Sequence, residues 1–147
     1  MIHIFLELLL AFTCSIGFGI VFGIRPKHLP MAGLAGFLVK VVVMLTQLFT
    51  ANRFIYTLLG ASMAALFSEI VGRDCDTTHS KYLYPALVPL IPGDLLYQVL
   101  LNLLRLNESA AKSTSLELMG GLFGIALGCM IVPSLIQAWK IIRDGQN

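Results

Sequence analysis

Charge is scarce in this chain. Only 12% of its 147 residues are Asp, Glu, Lys or Arg, against about 25% in an ordinary soluble domain. The net charge is +2 and no Lys/Arg cluster occurs, so the basic footprint of a nucleic-acid-binding protein is missing. Cysteine is sparse as well. Cys14 and Cys129 sit in apolar runs and Cys75 in a polar stretch, with no CxxC and no His/Cys cluster. That excludes a disulfide framework and the usual metal spacings. His3, His28 and His79 are scattered near the ends of apolar runs and read as solvated histidines. No metal and no cofactor is expected. Neither a carboxylate pair nor a Ser/His pair stands at catalytic spacing, which argues against a membrane enzyme acting on lipid.

What the chain has is apolar length. Hydrophobic residues make up 57% of it, and the mean hydropathy is +0.85. Several runs approach the roughly 20 residues that cross a bilayer. The expectation is an all-α polytopic membrane helix bundle forming a single transmembrane domain over residues 1–147. Five spans are expected at about residues 2–24, 31–49, 54–72, 82–106 and 116–139. The first run has no basic residue before it, is long, and shows no small-residue cleavage pattern, so it reads as a retained span and not a signal peptide. Asn107-Glu108-Ser109 fits a glycosylation sequon, a triplet that recurs often by chance.

The fourth span is unlike the rest. It contains Tyr84-Pro85-Ala86-Leu87-Val88-Pro89-Leu90-Ile91-Pro92-Gly93-Asp94. Each proline removes a backbone donor and clashes with the preceding turn. Backbone freed in this way is tolerated at membrane depth only inside protein or beside water. A helix broken at Pro89-Gly93, with an acid at the break, is how many transporters build a substrate site.

Loop charges set an orientation. Arg25, Lys27, Arg73, Lys81, Lys140 and Arg143 fall on one side and Arg53, Arg105 and Lys112 on the other. The richer side is expected to be cytoplasmic, with the N-terminus outside and the C-terminus inside. Small residues recur at spacing four: Ser15, Gly19, Gly23; Gly60, Ala64, Ser68; Gly120, Gly124, Gly128. Such faces let helix backbones approach closely. They point to a compact bundle or to homo-oligomerisation through the Gly/Ala/Ser faces.

After the break, Asp94, Tyr97, Gln98, Asn102 and Arg105 lie along one helical face. A polar stripe within a span is expected to face protein or water. Gly93 and Asp94 open this half-helix just after Pro92. Its free N–H groups and partial positive charge suit an anion, while Asp94 suits a cationic group or a proton. A cap of the half-helix is an equally open reading of Asp94. Lys40 stands near the middle of the second span, where a charge costs on the order of 3 kcal/mol on insertion scales. It shares a face with Gly36 and Gln47, and contacts either an anion or an acid of the bundle. Glu7 and Glu69, nearer the ends of their spans, read as interfacial acids or as weaker site candidates. Tyr82 and Trp139 look like interface anchors.

The order of motifs resembles the threonine/serine exporter family. It runs through Arg25-Pro26-Lys27, Ala32-Gly33-Leu34-Ala35-Gly36, Gly60-Ala61-Ser62-Met63 and the stretch from Pro85 to Gly93. The likeness is greatest to the small (YjjB-type) subunit of the two-component form, and the Pro-x-x-Pro-Gly core is its most specific part. The resemblance implies ten spans, shared here between two five-span proteins, this chain being the C-terminal half. It implies a larger five-span partner subunit (YjjP-like), residence in a bacterial inner membrane, and export of threonine and serine driven by the proton gradient. The two-component pair also implies succinate as a substrate. A structural membrane subunit with no pathway of its own is the remaining reading.

Overall fold

The computed structural model describes residues 2–74 and 80–144; Cys75 and His79 lie outside the described residues. Those residues form helices with no strand among them. In order they are α1 (Ile2–Val21), α2 (Leu29–Phe49), α3 (Arg53–Asp74), α4 (Ser80–Leu87), α5 (Gly93–Leu104) and α6 (Glu108–Asp144). Single 3-10 turns stand at Pro26–His28 and Val88–Leu90. Among the described residues, four helices are long and apolar enough to cross a membrane. The pair Tyr82–Leu90 and Gly93–Leu104, bent by 49°, makes a fifth if read as one span. The chain is an all-α polytopic bundle.

Local chemistry sets the helix ends. α1 stops at Gly23, whose φ is +69°. The N–H of Gly23 bonds Ile20 O, and that of Ile24 bonds Gly19 O, each at 3.0 Å. This is a Schellman closure with glycine in the left-handed position, and Ile24 is buried behind it. α5 closes in the same way, with Leu106 at φ 55°. α6 begins at Asn107, whose Oδ1 accepts from the N–H of Ala110. The side chain of the sequon asparagine is therefore spent on a helix cap. Capped there, α6 starts at Glu108, ahead of the span expected from about residue 116.

Glycine contacts give the direction of packing. α2 runs antiparallel to α1: Gly33 packs on Phe12 and Ile16, and Gly36 on Ser15. α3 runs antiparallel to α2, with Gly60 on Val43. Gly121, Gly124 and Gly128 meet Arg53, Thr57 and Ala61 in turn, so α6 runs parallel to α3. The chain must travel back along the bundle between them, and the broken segment makes that journey: Tyr82 packs with Val71, Leu90 against Gly60, and Asp94 reaches Arg53. The first residue of α1 and the last of α6 thus lie at opposite ends of the bundle. The small-residue faces are used within the chain, except that Gly23 and Gly120 have no neighbour an added Cβ would meet.

The core is built of Ala35, Val39, Val43, Tyr56, Ala61, Ala64, Ala86 and Leu90. Tyr82, expected at an interface, is instead 1% exposed beside Ile24, Ala32 and Val71. Trp139 is exposed.

Gly121 is level with Arg53, so the first part of α6 extends past the start of α3. α5 packs chiefly on this extension. Its 12 residues span about 18 Å. Residues 93–119 therefore form a helical arm that projects beyond the end of α1–α3.

Candidate functional site

Two prolines, Pro89 and Pro92, build the break, with separate effects. Pro89 has no N–H to give the Pro85 carbonyl, its helical partner one turn back. Ser15 Oγ, fully buried, donates to that carbonyl at 2.9 Å instead. Pro92 adopts φ −79°, ψ 63°, and the Gly93 N–H bonds Ile91 O at 2.8 Å. This is an inverse γ-turn, and it redirects the chain into α5. Asp94 falls in the first turn of α5, but no side-chain hydrogen bond caps that helix. The acid turns to Arg53.

Arg53 is placed by the turn before it. Asn52 Oδ1 accepts the Phe54 N–H at 3.1 Å, capping α3 and fixing Arg53 at its first position. Arg53 Nη2 lies 3.5 Å from Asp94 Oδ2, and its Nε 3.5 Å from Glu117 Oε1. The Nε is buried and makes no hydrogen bond, the Glu117 contact being close enough for an ion pair but outside hydrogen-bond geometry. The guanidinium sits 5.8 Å above the Tyr56 ring, within cation–π reach.

Arg53, Tyr56 and Asp94 line a mainly polar cleft of about 230 Å³. Pro89, Leu90, Ile91 and Pro92 supply one wall, and Lys40, Gln47, Arg53, Tyr56 and Thr57 the other, with Asp94 at the edge. Lys40 Nζ pairs with Glu7 Oε2 at 2.8 Å. Glu7, with Gln47, lines a larger, more apolar groove of about 490 Å³ between α1 and α2. Gln47 borders both spaces. Each acid is half exposed or more (Glu7 52%, Asp94 61%, Glu117 53%), whereas the two cations are mostly covered at 24% and 20%.

Of the residues singled out from sequence, Asp94, Pro92, Lys40 and Gln47 come together at this cleft, Gly93 stands at its rim, and Glu7 reaches it through Lys40. The polar stripe of α5 does not turn into the bundle. Asp94, Tyr97, Gln98 and Arg105 are exposed, and the face against α6 is Leu95 with Val99 and Asn102. The reason is register: beyond Asp94, which reaches Arg53, α5 runs past the end of α1–α3 and packs chiefly on α6. Asn102 donates to Thr114 Oγ1 at 3.4 Å, which ties the arm together. Glu69 lies 16 positions along α3 from Arg53, about 24 Å away on a helix, and does not line the cleft. Arg53, Tyr56, Thr57 and Glu117 were not anticipated. Arg53 reads as a loop charge until the α3–α6 register is known.

A family model described as Threonine/Serine exporter, ThrE, matches residues 7–135. No curated protein and no solved structure matches the chain.

Proposed function

The chain belongs to the threonine/serine exporter family, and from that premise we propose that it is the small five-span subunit of a secondary exporter. Its pathway passes the cleft beside the Pro89–Pro92 break. One observation carries this reading: irregular backbone, two cations and Gln47 converge there on one cavity. Irregular backbone at membrane depth lines a cavity or protein, and charges within spans mark substrate or ion paths.

The substrate proposed first is threonine or serine, moved outward at the expense of the proton gradient in a bacterial inner membrane. Lys40 and Arg53 suit its carboxylate, and Asp94 or Glu7 its ammonium. The partner is a larger five-span subunit. The uncovered stripe of Tyr97 and Gln98, beside exposed Leu96, Leu100 and Leu104, is a surface such a subunit would cover. A dicarboxylate such as succinate is the second reading, favoured by the presence of two cations in one cleft.

Efflux from preloaded cells co-expressing this chain and its partner tests the proposal, comparing threonine with succinate. Faster loss of either supports it and names the substrate. If neither leaves faster than from cells lacking the pair, the exporter reading falls. Transport unchanged in Asp94→Asn and Lys40→Gln variants would instead mark a structural subunit.

A further inference from the structure

Among the described residues, the Nε of Arg53 is a buried side-chain donor left without a hydrogen bond. A guanidinium offers five donors in a fixed fork, and a fully engaged carboxylate takes two of them in parallel at about 2.7–2.9 Å. Arg53 instead meets one oxygen from each of two acids, both at 3.5 Å, and its buried Nε has no hydrogen bond. Tyr56 lies 5.8 Å from the guanidinium, and both Arg53 and Tyr56 line the cleft. The acids are mainly exposed and therefore weakly held.

Both acids belong to the same arm. Asp94 comes one residue after Gly93, where the γ-turn at Pro92 ends. Glu117 comes three residues before Gly120-Gly121, and Gly120 has open space around it. A glycine pair lowers the cost of bending a helix. Residues 93–119 are thus rooted at the γ-turn and at the Gly120-Gly121 pair within the continuous helix α6, and Arg53 of α3 pairs with an acid near each root.

We propose that Arg53 is the carboxylate-binding residue of the cleft, and that Asp94 and Glu117 occupy it until a ligand carboxylate displaces them and releases the arm. The proposal rests on the transport reading above and deepens it. A ligand carboxylate offers both oxygens to the fork, which neither resident acid does, so exchange improves the geometry at Arg53. Two ion pairs break, one bidentate pair forms, and the arm is freed at the mouth of the cleft. The second cation, Lys40, is already paired closely with Glu7 at 2.8 Å, so it is Arg53 whose donors are left for exchange.

The test uses the full chain in phosphatidylethanolamine/phosphatidylglycerol nanodiscs, with Cys14, Cys75 and Cys129 replaced by serine. Spin labels at exposed Leu48 on α2 and Leu104 on the arm report their separation by pulsed EPR. L-Threonine, succinate and L-threoninamide are the probes. A second, longer distance with threonine or succinate, and none with threoninamide, is the expected result. The Asp94→Asn/Glu117→Gln double variant should show the longer distance with no probe. Arg53→Lys keeps the charge but loses the fork, and should weaken binding of the active probe by about tenfold or more. A shift of equal size with threoninamide, or Arg53→Lys binding like the wild type, overturns the proposal. No shift with any probe overturns it too. If the wild-type pair still exports threonine or succinate in cells, only the Arg53 role has failed. If it exports neither, the transport reading has failed with it.

Discussion

Ser15 Oγ on α1 donates to the Pro85 carbonyl on α4 at 2.9 Å, and that carbonyl is free because Pro89 has no N–H to offer it. One buried hydroxyl thus fastens the broken helix to the first span. Ser15→Ala is expected to cost about 1–3 kcal/mol, the penalty for an unsatisfied buried carbonyl. In the Pro89→Ala background the helical donor returns, and the same change should cost less. Thermal unfolding of the four proteins in detergent gives the coupling. Additive effects would show that the hydroxyl does not serve this carbonyl.

Gly124 and Gly120 share a face in sequence but not in the bundle. A Cβ on Gly124 would meet Phe54 O at 2.7 Å, and one on Gly120 meets nothing within 4 Å. Gly124→Ala should force α6 off α3 and destabilise by roughly 1–3 kcal/mol, as overpacking does. Gly120→Ala should be neutral or stabilise by up to about 1 kcal/mol through helix propensity. Melting temperatures of the two variants in one detergent check the contrast; equal losses would contradict the α3–α6 register.

Leu106 closes α5 with φ 55°, a conformation that costs a residue with a Cβ about 1–2 kcal/mol. Its side chain is 87% exposed, so little packing is lost on truncation. Leu106→Gly is therefore expected to raise stability by up to about 1 kcal/mol, the glycine's extra unfolded-state entropy offsetting part of the relief. A lower melting temperature would mean that Leu106 is covered, as it would be by a second subunit.

The proline break and the all-α polytopic bundle are legible in the sequence because their causes are local. Proline lacks its donor wherever it stands, and apolar length is counted directly. The role of Arg53 is not local. It follows Thr50-Ala51-Asn52, a stretch that reads as a plain turn, and its two acids lie 41 and 64 positions away. Only the seating of Gly124 and Gly128 on α3 brings Glu117 beside it. The stripe from Asp94 to Arg105 is legible as a stripe. Its outward direction is not, because a helical period says nothing of where the neighbouring helices end. Lys40 illustrates the middle case. Its cost in a span demands a partner, but the choice of Glu7 depends on the α1–α2 register.

That pair separates a structural role from a transport role. Lys40 Nζ lies 2.8 Å from Glu7 Oε2, and Glu7 is half exposed. In detergent the pair is worth up to about 1 kcal/mol, as exposed pairs are. Lys40→Gln should lower stability by no more than that, and the exchanged Glu7→Lys/Lys40→Glu protein should regain it. Transport should behave differently. Under the proposed function, Lys40 presents its charge to the cleft from α2, and the exchange moves that charge to α1 and puts an acid in its place. Efflux by the exchanged protein should stay roughly tenfold or more below wild type, the size of losing one charge-assisted hydrogen bond. Full efflux from the exchanged protein would show that Lys40 serves only to neutralise Glu7.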